Sequence, residues 1–279
     1  MLFVPVGTNT FSSNQFSWGT TRPSNTNGTS LTPSITNAYG TPGALGTLNF
    51  DSYGILININ SNAAANSIRR AAVKIIADGV DIITELIAGG ASQFYIGGGF
   101  FYFFPIFLPA GTVVTAAARG NNSTPFFVGA TYFQKPLNAS QIRMGTYTEQ
   151  LGVTVGAGTV GGIGITPGTT NEGAWTLIGQ TTKRLWWWQF GMQLNDNSTS
   201  NSSLFVDVAV GDTNVVGDPK DIMIENLLFG VTTSEAFTNP PFTYGVEYNV
   251  PAGKYIFARA QNSVANDAGY DVGVYGCGG

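Results

Sequence analysis

Between Phe100 and Leu108 the chain alternates with a period of two. Phe100, Tyr102, Phe104, Ile106 and Leu108 share one face of an extended segment, and Phe101, Phe103, Pro105 and Phe107 share the other. Side chains alternate across a strand, so this spacing predicts a β-strand that is apolar on both faces and needs cover on both. A second version runs from Phe242 to Arg259. Aligned on Pro109-Ala110-Gly111 and Pro251-Ala252-Gly253, which lie 142 residues apart, its inner face reads Phe242, Tyr244, Val246, Tyr248 and Val250. Its outer face reads Thr243, Gly245, Glu247 and Asn249, which suits water.

The same order of matches extends along the chain. Leu31-Thr32-Pro33 with Thr36-Asn37 recurs as Ile165-Thr166-Pro167 with Thr170-Asn171, 134 residues on, and Gly46 recurs as Gly179 after 133. Gly54–Asn60 aligns with Trp186–Met192, and Ala72–Ala77 with Phe205–Val210. Asp81–Ile87 aligns by identity with Asp221–Leu227 at an offset of 140, and Val128-Gly129 with Val272-Gly273 at 144. Small drifts of this kind belong in loops, where insertions cost little. Short apolar segments separated by Gly, Pro, Asn and Ser predict an all-β protein of two tandem antiparallel β-sandwich domains, jelly-roll-like and related by internal duplication. The expected division is an extended N-terminal arm over 1–30, domains over 31–134 and 165–279, and a linker over 135–164. Ser67–Ile83 also fits a helical spacing through Ile68, Ala71, Ala72, Ile75 and Ile76, but its partner in the second copy is β-like, so strand is the reading.

Composition narrows the function. Charged residues are 10 % of the 279, so Asn, Ser, Thr and Gly must build the surface. A net charge of −4 without a basic cluster argues against nucleic acid as a partner. Without histidine, Ser-His-Asp and Cys-His catalysis and imidazole metal sites are excluded. The single cysteine, Cys277, excludes an internal disulfide and a cysteine zinc cluster. Neither a cofactor nor a metal is expected. The N-terminal residues lack the positive n-region of a signal peptide. Leu86–Ala118 carries no charge over 33 positions. Its glycines, its two prolines and its alternation nevertheless argue against a membrane-spanning helix.

Several groups invite a chemical reading. Asp81 and Glu85, matched to Asp221 and Glu225, are four residues apart, which on a strand separates them by roughly 13 Å. A glycosidase pair needs about 5 to 10 Å, so these read as carboxylates that fix a loop or cap amides. Arg119 and Arg259 read as partners for carboxylates or as stems packed along the sheet, with a sugar or anion contact as the alternative. In Trp186-Trp187-Trp188, alternation places Trp187 opposite the other two, as a core or interface residue with a sugar platform as the alternative. Asn195-Asp196-Asn197 lacks the glycine and distal glutamate of a calcium loop.

The Thr-Pro element, Phe50–Ile59, Asp81–Leu86, and Leu108-Pro109-Ala110-Gly111-Thr112 ending in Arg119 together resemble the jelly-roll virion proteins of tailed bacteriophages, a group of head-decoration, cement and fibre proteins. The resemblance covers about 31–133 and repeats over 165–277. It implies location in the virion, assembly as a homo-oligomer with a trimer favoured, and the major capsid protein or other virion proteins as partners. The second copy departs from the pattern at Trp186-Trp187-Trp188. The expected function is therefore a non-enzymatic structural protein that decorates or cements a capsid, with Phe101, Phe103, Phe107 and Trp187 as interface residues. The alternative is a receptor-binding fibre or carbohydrate-binding module with a host glycan as its ligand.

Overall fold

A computed structural model of the protein describes residues 29–61, 69–90, 100–123, 125–134, 143–157, 159–194, 202–231, 237–238, 245–263 and 270–279. The expected N-terminal arm and the Asn195–Asn197 loop lie outside the described residues, apart from the arm's last two positions, Thr29 and Ser30. Among the described residues every regular element is a strand.

The first half holds β1 (Thr29–Leu31), β2 (Gly43–Thr47), β3 (Ile55–Ser61), β4 (Arg69–Ala77), β5 (Val80–Gly90), β6 (Phe100–Phe104), β7 (Val113–Gly120) and β8 (Phe126–Tyr132). They form two four-stranded antiparallel sheets, in the orders β1-β8-β3-β6 and β2-β7-β4-β5. That alternation of strands between two facing sheets is the jelly roll. The second half holds β9 (Tyr147–Leu151), β10 (Thr154–Gly156), β11 (Thr159–Gly161), β12 (Ile163–Ile165), β13 (Thr176–Gln180), β14 (Leu185–Leu194), β15 (Ser202–Gly211), β16 (Lys220–Val231), β17 (Phe237–Thr238), β18 (Val246–Val250), β19 (Tyr255–Asn262) and β20 (Tyr270–Gly278). Its sheets run β12-β20-β14-β18, with β9 also on β20, and β13-β19-β15-β16-β17. Removing β9, β10, β11 and β17 leaves the same eight-strand order as in the first half. Part of the segment read as a linker is therefore structured: β9 extends a sheet of the second jelly roll, and β10 and β11 pair as a hairpin.

Ladder register fixes which residues correspond. Ile55 pairs with Phe104 and Tyr132, and Trp188 pairs with Val246 and Gly276. Ile55 and Trp188 are thus counterparts, 133 residues apart, which moves the identity alignment of this strand by one. The offset of 142 at Pro-Ala-Gly and that of 144 in the last strand agree with the ladders.

The interior follows from the alternation. Ile55, Ile57 and Ile59 on β3, and Phe100, Tyr102 and Phe104 on β6, all point into the first core. Burying each such side chain contributes about 1.5 to 3 kcal/mol. Asp78-Gly79, with φ of 48° and 82°, turns β4 into β5 as the two-residue hairpin that Asp-Gly favours. From Arg69 on, where the residues are described, the segment with helical spacing is therefore this hairpin.

One irregularity recurs. Val73 pairs with Leu86 but Ile75 pairs with Ile83, so β5 carries an extra residue, and Glu85 there has φ of 54°. In the second half Val206 pairs with Leu227 and Val208 with Ile224, and Asn226 has φ of 55°. The counterpart of Glu85 is Asn226, not Glu225. A β-bulge inserts one residue and bends its strand, and this one is kept in both copies.

Candidate assembly interface

The four residues singled out from the sequence occupy different environments. Phe101 and Phe103 are half-buried on the outer face of β6, whereas Phe107 is 41 % exposed. β6 ends at Phe104, so Phe107 lies beyond the strand, with its ring edge-on to Tyr53 at 5.3 Å. Trp187 is buried on β14 in the second jelly roll.

Phe103 and Trp187 meet where the two jelly rolls touch. Their rings pack edge to face at 5.7 Å, and the indole N–H of Trp187 donates to the Phe103 carbonyl at 2.9 Å. Phe103 also packs on Phe133 at 5.5 Å. The strand facing Trp187 must be bare at Gly245, since a Cβ there would sit 1.9 Å from the indole. Trp186 and Trp187 both pack with the first core, while Trp188 lies in the second. Strict alternation fails because the register of β14 against β18 shifts between Leu185 and Trp187. All three indoles are buried, so none offers a face to a sugar.

The rest of the contact is an edge laid on a face. β5 is the edge strand of its sheet, and edge strands present unpaired backbone groups. Side chains of the second jelly roll tie these off. The Tyr275 hydroxyl donates to the Glu85 carbonyl at 2.9 Å and accepts from the Ile87 N–H at 2.8 Å. Thr148 Oγ1 donates to the Ile82 carbonyl at 2.7 Å. From the first jelly roll, the Tyr102 hydroxyl donates to the Ile87 carbonyl at 2.6 Å, with its ring edge-on to Tyr275 at 5.4 Å. Burial pushes both tyrosine hydroxyls well above their ordinary pKa, so they stay protonated donors. Ile87 fits because position 273 is glycine: a Cβ there would lie 2.7 Å from Ile87 Cδ1. Tyr275, Cys277, Trp186 and Trp187 share one buried cluster with the first core. Cys277 is packed there as a small apolar group, its thiol pushed up to about 12 by burial.

The charged residues have structural partners. Arg119 pairs with Glu85 at 2.8 Å, donates to the Asn37 carbonyl at 2.9 Å and lies over the Tyr39 ring at 4.9 Å. Arg259 pairs with Asp207 at 2.8 Å and Glu172 at 2.6 Å and lies over Trp175 at 4.4 Å. Asp207 in turn accepts from the N–H of Asn226 at the bulge, at 2.8 Å. Both clusters therefore brace the conserved irregularity, but with different residues. Arg119 pairs across the ladder with Ala72 and Arg259 with Asp207, so the two arginines stand two positions apart in the common register. Asp221 and Glu225 are exposed. Among the described residues no group of three or more Cys, Asp or Glu side chains is placed to hold a metal ion.

These environments separate two effects of substitution. Phe107→Ser is expected to change stability by less than about 1 kcal/mol, as for exposed sites. Phe103→Ser removes a ring from the contact and is expected to cost about 2 to 4 kcal/mol. Chemical denaturation of the two variants side by side checks the contrast; equal losses would contradict it.

No protein-family model matches the chain. No curated protein matches it. Among solved structures it is similar to that of PNGF-II in the C2 space group, with a TM-score of 0.41 and 9 % identity, over 95 % of this chain and 65 % of that one. The chain thus spans just under two thirds of that structure's length, and a likeness of this degree carries no argument about activity.

Proposed function

We propose that this protein is a non-enzymatic structural component of a bacteriophage virion, decorating or cementing the capsid as a homo-oligomer. The observation that carries the reading is the set of large apolar side chains left outside two packed cores. On the first jelly roll Val80 is 65 % exposed, Val113 48 % and Phe107 41 %. On the second, Val215 is 52 % exposed, Ile222 45 % and Leu228 50 %. Large apolar side chains left exposed on a surface with few charges are available for contact with other proteins. The capsid protein and further copies of the chain are the partners this suits. The resemblance of the Thr-Pro, Asp81–Leu86 and Pro-Ala-Gly elements to tailed-phage virion proteins supports the same setting.

The test is mass spectrometry of particles purified from the source of this sequence and washed in high salt. The expected result is the chain present at many copies per particle. Particles that lack it while the free protein accumulates would contradict the proposal.

A further inference from the structure

We propose that copies of this chain associate head to tail, with Leu228 of one copy seated over Gly129 of the next. The proposal deepens the assembly reading above and rests on it for its biological setting, but its geometry comes from the internal duplication. Within one chain, the β5 edge of the first jelly roll docks on the β14–β20 face of the second, with Ile87 over Gly273. The ladders identify the counterparts of both residues. Ile87 pairs with Ala72 and Leu228 with Phe205, so Leu228 holds the place of Ile87. Gly273 pairs with Gly191 and Gly129 with Asn58, so Gly129 holds the place of Gly273.

The two edges differ in cover. Ile87 is fully buried, whereas Leu228 is 50 % exposed. β17 pairs with Gly230 and Val231, and among the described residues no strand pairs with the outer edge of β16 from Lys220 to Leu228. An edge strand without a paired neighbour is a template for association, and here it exposes Leu228 and Ile222 beside Asp221 and Glu225. The receiving face of the first jelly roll carries Leu56, Phe127 and Gly129, all half-buried, beside Thr131, which the chain itself buries. One chain therefore presents both members of a contact that it already makes internally. A heterologous contact of this type closes into a ring when its rotation permits. The partner is a second copy because the surface complementary to β16 is a version of the one that receives β5. Thr131 stands where Tyr275 stands in the second half, so the contact between copies lacks the tyrosine that caps the edge. It is weaker than the internal contact and reversible.

Sedimentation velocity on the full chain tests this. Leu228→Lys is expected to weaken self-association at least about tenfold, the consequence of losing one seated leucine, while leaving the melting temperature unchanged. In a mixture of Leu228→Cys with Phe127→Cys protein, a short bismaleimide linker is expected to join unlike copies, because the remaining thiol, Cys277, is buried. Self-association that Leu228→Lys leaves intact, or an absence of linkage in associating protein, would overturn the head-to-tail contact. Either result would leave the virion assignment standing if the particles contain the chain. A wild-type chain that stays monomeric across its soluble range would overturn the contact as well.

Discussion

Trp187→Ala is expected to cost about 3 to 5 kcal/mol of stability, the range for removing a large buried aromatic. The indole is 3 % exposed, packs edge to face on Phe103 and donates to the Phe103 carbonyl. Its removal opens a cavity between the two jelly rolls and leaves that carbonyl without its donor. Trp187→Phe separates the two contributions. It keeps much of the volume but lacks the N–H, and is expected to cost about 1 to 3 kcal/mol, the desolvation penalty of one unsatisfied group plus imperfect packing. Urea unfolding followed by circular dichroism measures both. A loss below about 1 kcal/mol for the alanine variant would mean that the two halves do not depend on this contact.

Tyr275→Phe is expected to lower stability by about 2 to 5 kcal/mol while keeping the ring in place. One hydroxyl serves both the Ile87 N–H and the Glu85 carbonyl, and Tyr275 is 1 % exposed. Each buried group left without a partner costs about 1 to 3 kcal/mol. The damage falls on the contact between the jelly rolls, whose buried cluster Tyr275 shares with the first core. Calorimetry is therefore expected to resolve two transitions in the variant and a single one in the wild type. Thr148→Val is the control: its bond to the Ile82 carbonyl lies at the half-buried margin of the same edge, so a smaller loss is expected. A Tyr275→Phe protein that melts as a single wild-type transition would show that water or another donor caps β5.

Much of this fold was legible in the residues. The alternation from Phe100 to Leu108 predicted a strand, and its inner face is buried at every position. The Pro-Ala-Gly match carried the correct offset because that turn leads from one sheet to the other in both copies. What identity could not reveal is the bulge. The ladders set β5 against β16 at an offset of 141 on both sides of that bulge, one more than the identity match, so Glu85 stands in register with Asn226 and two acidic residues that look equivalent in sequence are not. Arg119 and Arg259, likewise matched in sequence, brace similar places from rungs two positions apart. The register shift at Leu185 likewise turned Trp186 to the side of Trp187. Phe103 and Trp187 each signalled a need for cover, but their sequence separation gave no sign that they cover one another. Tyr275 gave no signal, since a tyrosine in a glycine-rich last strand reads as ordinary core until the β5 edge lies against it.

The most direct test of the account is cryo-electron microscopy of intact particles at a resolution that shows side chains. Two-lobed densities are expected on or within the shell, each lobe an eight-stranded jelly roll, with Leu228 covered by a neighbouring copy. Particles whose shell contains no such density, or copies of the chain that meet nothing through their apolar surfaces, would contradict it.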